Sequence, residues 1–194
     1  MARTESRRGP TEGVAILWLR HDLRLSDNHA LAAALEGYSR IVPVFVLDDA
    51  KAGRWQVGGA ARWWLHHSLA SLDTALRKHK SGLVLRRGDS VSVLTDLVRE
   101  TGAEALFCGE THEPWLGTLT ESVEKAVGVP VHRRRVATLF DPDSIRTKIG
   151  GRYGVYGPFA RACRAQPEPD APIPAPTSIP SPKKLPRSEA LDDW

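Results

Sequence analysis

Short apolar runs alternate with longer segments of helical period along most of this chain. Residues 14–19, Val-Ala-Ile-Leu-Trp-Leu, predict a first strand. Ser26 or Asp27 is placed to cap a helix that runs to about Glu36, with Gly37 as its stop. The run 41–47 is apolar throughout, as a strand buried on both faces of a sheet must be. Gly53, Gly58 and Gly59 mark a loop. Beyond it Ala61, Leu65, Leu69, Leu72 and Leu76 recur at helical spacing and predict a long helix over 60–78. The alternation continues with a strand over 83–87, a Gly88-Asp89 turn, a helix over 91–100 and a strand over 105–108. A polar loop, a helix ending near Gly128 and a strand over 129–134 follow. This order predicts an α/β fold: a Rossmann-like, doubly wound, five-stranded parallel sheet with helices on both faces and right-handed crossovers.

After Val136 the pattern dissolves. A short helix after Pro158 is expected, since proline suits a first helical turn. Prolines then recur from Pro167 to Pro186 at a density that forbids helix or central strand and favours extended chain. The expected organisation is a disordered basic leader over 1–12, an α/β domain over 13–136, a connecting segment over 137–165, and a Pro-rich interdomain linker over 166–194 with nothing after it.

Composition narrows the function. At 194 residues and 41% hydrophobic content the chain can bury one sizeable core. A net charge of +4 is compatible with a nucleic-acid partner without requiring one. Cys108 and Cys163 form no C-x-x-C pair and no disulfide framework; Cys108, in an apolar strand, reads as a core residue. No run reaches transmembrane length and the N-terminus lacks a secretory h-region, so a cytoplasmic protein is expected. No G-x-x-x-x-G-K-[ST] or G-x-G-x-x-G loop follows strand one. His66, His67 and His79 have no third ligand at metal spacing, and His21-Asp22 has no nucleophile beside it. Arg133 to Arg135 reads as a solvated strand end before it reads as a phosphate site.

One segment concentrates the chemistry. WLRHDLRLSDN, Trp18 to Asn28, packs Arg20, His21, Asp22, Arg24 and Asp27 into one strand-to-helix connection, where parallel α/β sheets place ligand sites. Its arrangement R-x-D-L-R-x-x-D-N resembles the opening motif of the DNA photolyase/cryptochrome family. VFVLDD (44–49), GGAARWWLHHSLASLD (58–73) with Arg62, LVLRRGD (83–89), HEPW (112–115) and YGVYGPF (153–159) are similar to later family segments in the family's order. The resemblance covers roughly residues 14 to 165 and looks most like bacterial class I cyclobutane-dimer photolyases.

The resemblance implies a light-harvesting domain that holds an antenna chromophore. The parent activity it implies is light-driven reversal of pyrimidine dimers in DNA. Catalytic FAD is expected only in a helical domain, in cis or in trans, of which this chain contains nothing beyond the linker; DNA contact is expected only through the complete enzyme. The chain alone is therefore expected to be inactive, with no catalytic residue of its own. The antenna site is expected where strands one, two and four end: Arg20, His21, Val46, Leu47, Asp48, Thr111, His112 and Glu113, with Arg62 reaching in from the long helix. Apolar walls, an arginine and carboxylates for ring N–H groups suit a planar heteroaromatic. Folate-using members place polar residues where this chain has Trp115 and Leu116, so a deazaflavin or FMN is favoured. Thr111 stands where a carboxylate is common, and Cys163 lies near the place of a usual aromatic. Two alternatives remain: a standalone chromophore or nucleotide sensor, and a truncated interaction module whose pocket is vestigial, with Tyr156, Phe159 and Trp194 on its docking face.

Overall fold

A computed structural model describes residues 10–135 and 138–193 of the chain. The expected leader falls mostly on residues 1–9, and Trp194 on the last position; both lie outside the described residues. Thr11 and Glu12, by contrast, already belong to the first strand.

Five strands, β1 (Thr11–Leu19), β2 (Tyr38–Leu47), β3 (Val84–Arg87), β4 (Ala105–Gly109) and β5 (Val131–Arg134), pair in parallel in the order β3-β2-β1-β4-β5. Helices α1 (His29–Gly37), α2 (Asp49–Ala52), α3 (Gly59–Lys78), α4 (Ser90–Thr101), α5 (Pro114–Ala126) and α6 (Tyr156–Arg164), with 3-10 turns at Gly53–Trp55 and Leu191–Asp193, complete the described elements. The period of two along a strand separates the core into two layers. Ala15, Leu17 and Leu19 pack with Leu31 of α1 and Leu69 and Leu76 of α3 on one face. Val14, Ile16 and Trp18 pack with Leu94 of α4 and Val123 of α5 on the other. A strand clothed on both faces has no polar side, which is why the first two strands read as unbroken apolar runs.

Pro43 sits inside β2 opposite Leu17, although proline is ordinarily confined to sheet edges. The Ile41 N–H points away from β1, donating to the Pro180 carbonyl at 2.7 Å. Two residues on, Pro43 faces the same way, and β3 pairs with β2 only from Val44 onward. The missing N–H therefore costs no ladder bond.

Side-chain caps start α1, α2 and α4. The α1 cap is Asn28, not Ser26 or Asp27: its Oδ1 accepts the Leu31 N–H at 3.0 Å. Asp27 is excluded because its backbone has turned into the left-handed region, at φ 49°. The α6 helix starts at Tyr156, so Pro158 lies within its first turn rather than before it. Asp89 caps α4, accepting from the Ser92 N–H at 2.9 Å. That bond, with Lys51 at 3.2 Å, holds the Asp89 carboxyl below the ordinary carboxylate range. A depressed folded pKa stabilises above the unfolded value, and the contribution disappears as pH falls through the folded one. Asp89→Asn keeps a capping oxygen that does not titrate. Its urea midpoint is expected to fall less between pH 7 and pH 3 than the wild-type midpoint does; an equal fall would contradict the cap's role.

The Pro-rich segment forms no helix or strand before a 3-10 turn at Leu191–Asp193, yet it is not a free tether. It runs as a strap along the outer side of β2 and β3. Ser181 Oγ donates to the Ile41 carbonyl at 2.9 Å, Ser188 Oγ accepts the Leu85 N–H at 3.0 Å, and the Glu189 N–H donates to the Leu85 carbonyl at 3.0 Å. Ile179 is completely buried in the α1/α3 layer. The strap thus covers a sheet edge whose backbone groups would otherwise offer a template for another chain.

Candidate functional site

The chain moves outward from β1 to β3 and then restarts at β4 on the other side of β1, so the switch point lies between β1 and β4. A cleft of 1290 Å³ opens there, at the carboxyl ends of β1, β2 and β4. Arg20 and His21 line it from the end of β1. Val46, Leu47 and Asp48 come from the end of β2, and Thr111, His112 and Glu113 from the loop after β4. The eight residues that the sequence suggested for one crevice all line this cleft.

Their roles divide. Arg20 is buried and acts as a clamp: it donates to the Thr120 Oγ1 at 2.7 Å and to the Gly109 carbonyl, and lies 4.5 Å over the Trp18 ring. It ties β1 to β4 and α5. Burial lowers the guanidinium from its ordinary pKa. Asp48 is committed too: one oxygen caps α2 through the Lys51 N–H at 3.1 Å, the other accepts the Ser90 N–H at 2.8 Å. Val46 and Leu47 supply apolar floor. At the rim His21 Nε2 stands 3.5 Å from Glu113 Oε1, both well exposed.

Arg62 does not line the cleft, contrary to the expectation that it reaches in. Its Nη2 contacts Asp49 Oδ2 at 2.7 Å and its Nε donates to the Val57 carbonyl at 3.0 Å. A carboxylate and a carbonyl nearer than the crevice capture the guanidinium, so it braces the loop between β2 and α3 instead. Arg133 is likewise engaged: a fork of 2.8 and 2.6 Å to Glu124 raises its pKa and leaves a solvated ion pair where a phosphate site was weighed.

The opening motif is wound on itself. Asn28 Nδ2 donates to the carbonyls of Asp22 and Arg24, and the Asp22 Oδ1 accepts the Arg20 N–H at 2.9 Å. Arg24 reaches the carbonyls of Ser26 and Asp27. Three polar atoms of the segment Trp18 to Asn28 remain over: Trp18 Nε1, Arg20 Nε and Asp22 Oδ2 are buried without a hydrogen-bond partner. Buried polar atoms without partners are uncommon and costly.

Sequence reasoning missed the aromatic walls. Trp55, 64% exposed, and Trp64, 69% exposed, both line the cleft. So does Thr138, whose buried hydroxyl also lacks a partner. The signal for Trp64 was present, since Ala61, Trp64, Leu65 and Ser68 are one helical stripe and all face the cleft. Trp55 sits in a 3-10 turn, Gly53–Trp55, that no periodicity marks. Among the described residues no group of side chains could hold a metal ion, and no helix is long and apolar enough to cross a membrane.

Comparison with known proteins places this architecture. Residues 15–178 match the family described as DNA photolyase. A deoxyribodipyrimidine photo-lyase from Agrobacterium fabrum is 42% identical over 183 residues, 92% of this chain and 37% of that protein. Cryptochrome-1 of Arabidopsis thaliana is 33% identical over 86% of this chain and 25% of its own length. The crystal structure of a class III photolyase from Agrobacterium tumefaciens superposes with a TM-score of 0.88 and 38% identity, covering all of this chain and 40% of that one. These relatives give the class I expectation no support. The chain spans about two fifths of the photolyases it matches.

Proposed function

The chain belongs to the DNA photolyase family, and from that premise we propose that it is the antenna-binding α/β part of a photolyase-type flavoprotein. The observation that carries this reading is the switch-point cleft, with its apolar floor, its aromatic walls and the polar side chains at its rim. Pockets of this kind, mostly apolar with a few convergent polar groups, take small aromatic ligands. Members of the family bind flavin and antenna chromophores. An antenna absorbs light and passes the excitation to the catalytic flavin. Here Val46 and Leu47 would bed its ring, and His21 with Glu113 would close the rim. A deazaflavin or FMN leads the candidates, because Leu116 is buried among core side chains and gives the cleft no polar group. Catalytic FAD, DNA contact and dimer repair belong in this proposal to the further, helical part of the enzyme. A cytoplasmic setting belongs to it as well.

The α6 face supports a partner role for the same part. No residue of α6 is buried, and Val155, Tyr156 and Phe159 expose apolar surface. This face is proposed to meet the helical part in cis or in trans.

The test is a titration of the 194-residue chain with FMN, a deazaflavin and a reduced folate, followed by tryptophan quenching. One-to-one saturation by one of them, abolished by Val46→Arg, is expected. Failure of all three to bind, or binding indifferent to Val46→Arg, overturns the cleft as the antenna site.

A further inference from the structure

We propose that the Pro-rich strap is a latch on the cleft. Docked along β2 and β3, it holds the two loops that line the cleft in their binding shape; detached, it lets both loosen. This inference names what regulates the cleft and rests on the cleft being the chromophore site.

The first anchor of the strap is Ile173. The Asp27 N–H donates to the Ile173 carbonyl at 2.7 Å, and the Ile173 N–H donates to Asp27 Oδ1 at 3.4 Å. Asp27 is held at φ 49°, in the left-handed region that few residues other than glycine enter. Such a conformation persists only where the surroundings impose it, and Ile173 supplies two of the bonds that do. Asp27 and Asn28 close the loop that starts at Arg20, through the Arg24 guanidinium and the Asp22 carbonyl. That loop puts Arg20, His21, Asp22 and Leu23 into the cleft.

The last anchor is Glu189, whose Oε1 accepts the Arg87 N–H at 2.9 Å. One residue on, the Gly88 N–H donates to the Leu47 carbonyl at 3.1 Å, and the Ser90 N–H donates to Asp48 Oδ2 at 2.8 Å. Leu47 and Asp48 both line the cleft. Between the anchors, Ile179 is buried in the apolar layer against which Leu23 and Leu25 of the opening loop also pack. The strap is thus tied at each end to a loop of the cleft and in the middle to the core beneath.

The latch also has a handle. Pro167, Pro169 and Pro172 fill the stretch between α6 and Ile173. A proline-rich stretch keeps an extended backbone and passes displacement on where a flexible one absorbs it. Seating of the helical part on the exposed face of α6 would therefore act on Ile173, and through Asp27 on the cleft. Such coupling is reciprocal: a ligand that prefers the latched cleft stabilises the docked strap by the same factor.

The experiment is amide hydrogen exchange of the full chain, read by NMR without ligand and with saturating FMN, deazaflavin or reduced folate. The Ile41 and Leu85 amides, bonded to the Pro180 carbonyl and to Ser188 Oγ, report the strap. The Gly88 and Ser90 amides report the cleft. Without ligand, Ser181→Ala removes a strap bond to the Ile41 carbonyl and touches neither cleft loop. It is expected to speed exchange about fivefold, the scale of one lost hydrogen bond, at all four amides together. The Ala103 amide, bonded to the Val98 carbonyl, is expected to keep its rate. A probe that binds is expected to slow Ile41 and Leu85 about tenfold. Their signals stay in place, because the strap is docked in both states and only the rare detached population changes. Faster exchange at Ile41 and Leu85 with Gly88 and Ser90 unchanged, or a rise that Ala103 shares, overturns the latch. A probe that binds yet leaves Ile41 and Leu85 unslowed also overturns it, while the cleft reading stands. If no probe binds, the chromophore reading falls, and the Ser181→Ala comparison alone decides whether the strap holds the cleft.

Discussion

Ile179→Ala is expected to lower the thermal midpoint of the chain by about 6–12 °C. Ile179 is completely buried against α1, α3 and the sheet, although it lies among prolines that read as a linker. Truncating a buried isoleucine costs about 3 kcal/mol, the transfer of its methyl groups plus the cavity left behind. Each kcal/mol moves the midpoint of a domain this size by about 2–4 °C. A tether gives no such result, because its side chains face water in both states. Differential scanning calorimetry of the variant decides it, and a shift under about 2 °C would contradict a packed strap. Removing residues 166–194 goes further: Ile41, Leu85 and Arg87 lose partners for backbone groups along the β2 and β3 edge. The truncated chain is expected to associate through that edge, which light scattering would detect.

Asn28→Ala is expected to be nearly as costly, at about 2–3 kcal/mol. The substitution removes the α1 cap and both Nδ2 bonds, to the Asp22 and Arg24 carbonyls, in a residue only 2% exposed. Asn28→Asp separates the two contributions, since it caps α1 but cannot donate. Its urea midpoint is expected to fall between those of wild type and Asn28→Ala. Equal stability of all three would mean that the motif loop is held by something else. The loop carries Arg20 to Leu23 into the cleft, so the alanine variant is also expected to bind chromophore more weakly than its aspartate counterpart.

That pair of residues shows what the sequence could and could not disclose. Apolar runs and helical spacing sufficed for β1 to β4 and for α1, α3, α4 and α5, because each buries apolar side chains, while β5, which has no fully buried residue, followed from the alternation of the elements before it. The meeting of Arg20, His21, Val46 to Asp48 and Thr111 to Glu113 at one cleft followed from topology, since strand ends at a switch point converge whatever their chemistry. What stayed hidden depends on where side chains find partners. Arg62 lies close enough in sequence to suggest the crevice, but Asp49 and the Val57 carbonyl capture it first. Asp48 looks like a free carboxylate until the Lys51 and Ser90 amides claim both oxygens. The Pro-rich segment has the composition of a tether; the side chains of Ile179, Ser181, Ser188 and Glu189 fasten it together with backbone bonds at Ile173 and Pro180, and residues scattered among prolines carry no period. The opening motif is informative for a reason different from the one its charges suggest, since most of its polar groups fold the loop and His21 is left at the rim of the cleft.

The most direct measurement is an amide-resolved ¹⁵N spectrum of the full chain, recorded with and without excess FMN, deazaflavin or reduced folate. Binding in the switch-point cleft is expected to move the amides of Leu47 to Asp49 and Glu110 to Glu113, together with the indole N–H signals of Trp55 and Trp64, while the strap and α6 stay still. Shifts confined to α6 and the strap, or a spectrum that none of the three ligands alters, would contradict an antenna site at the ends of β1, β2 and β4.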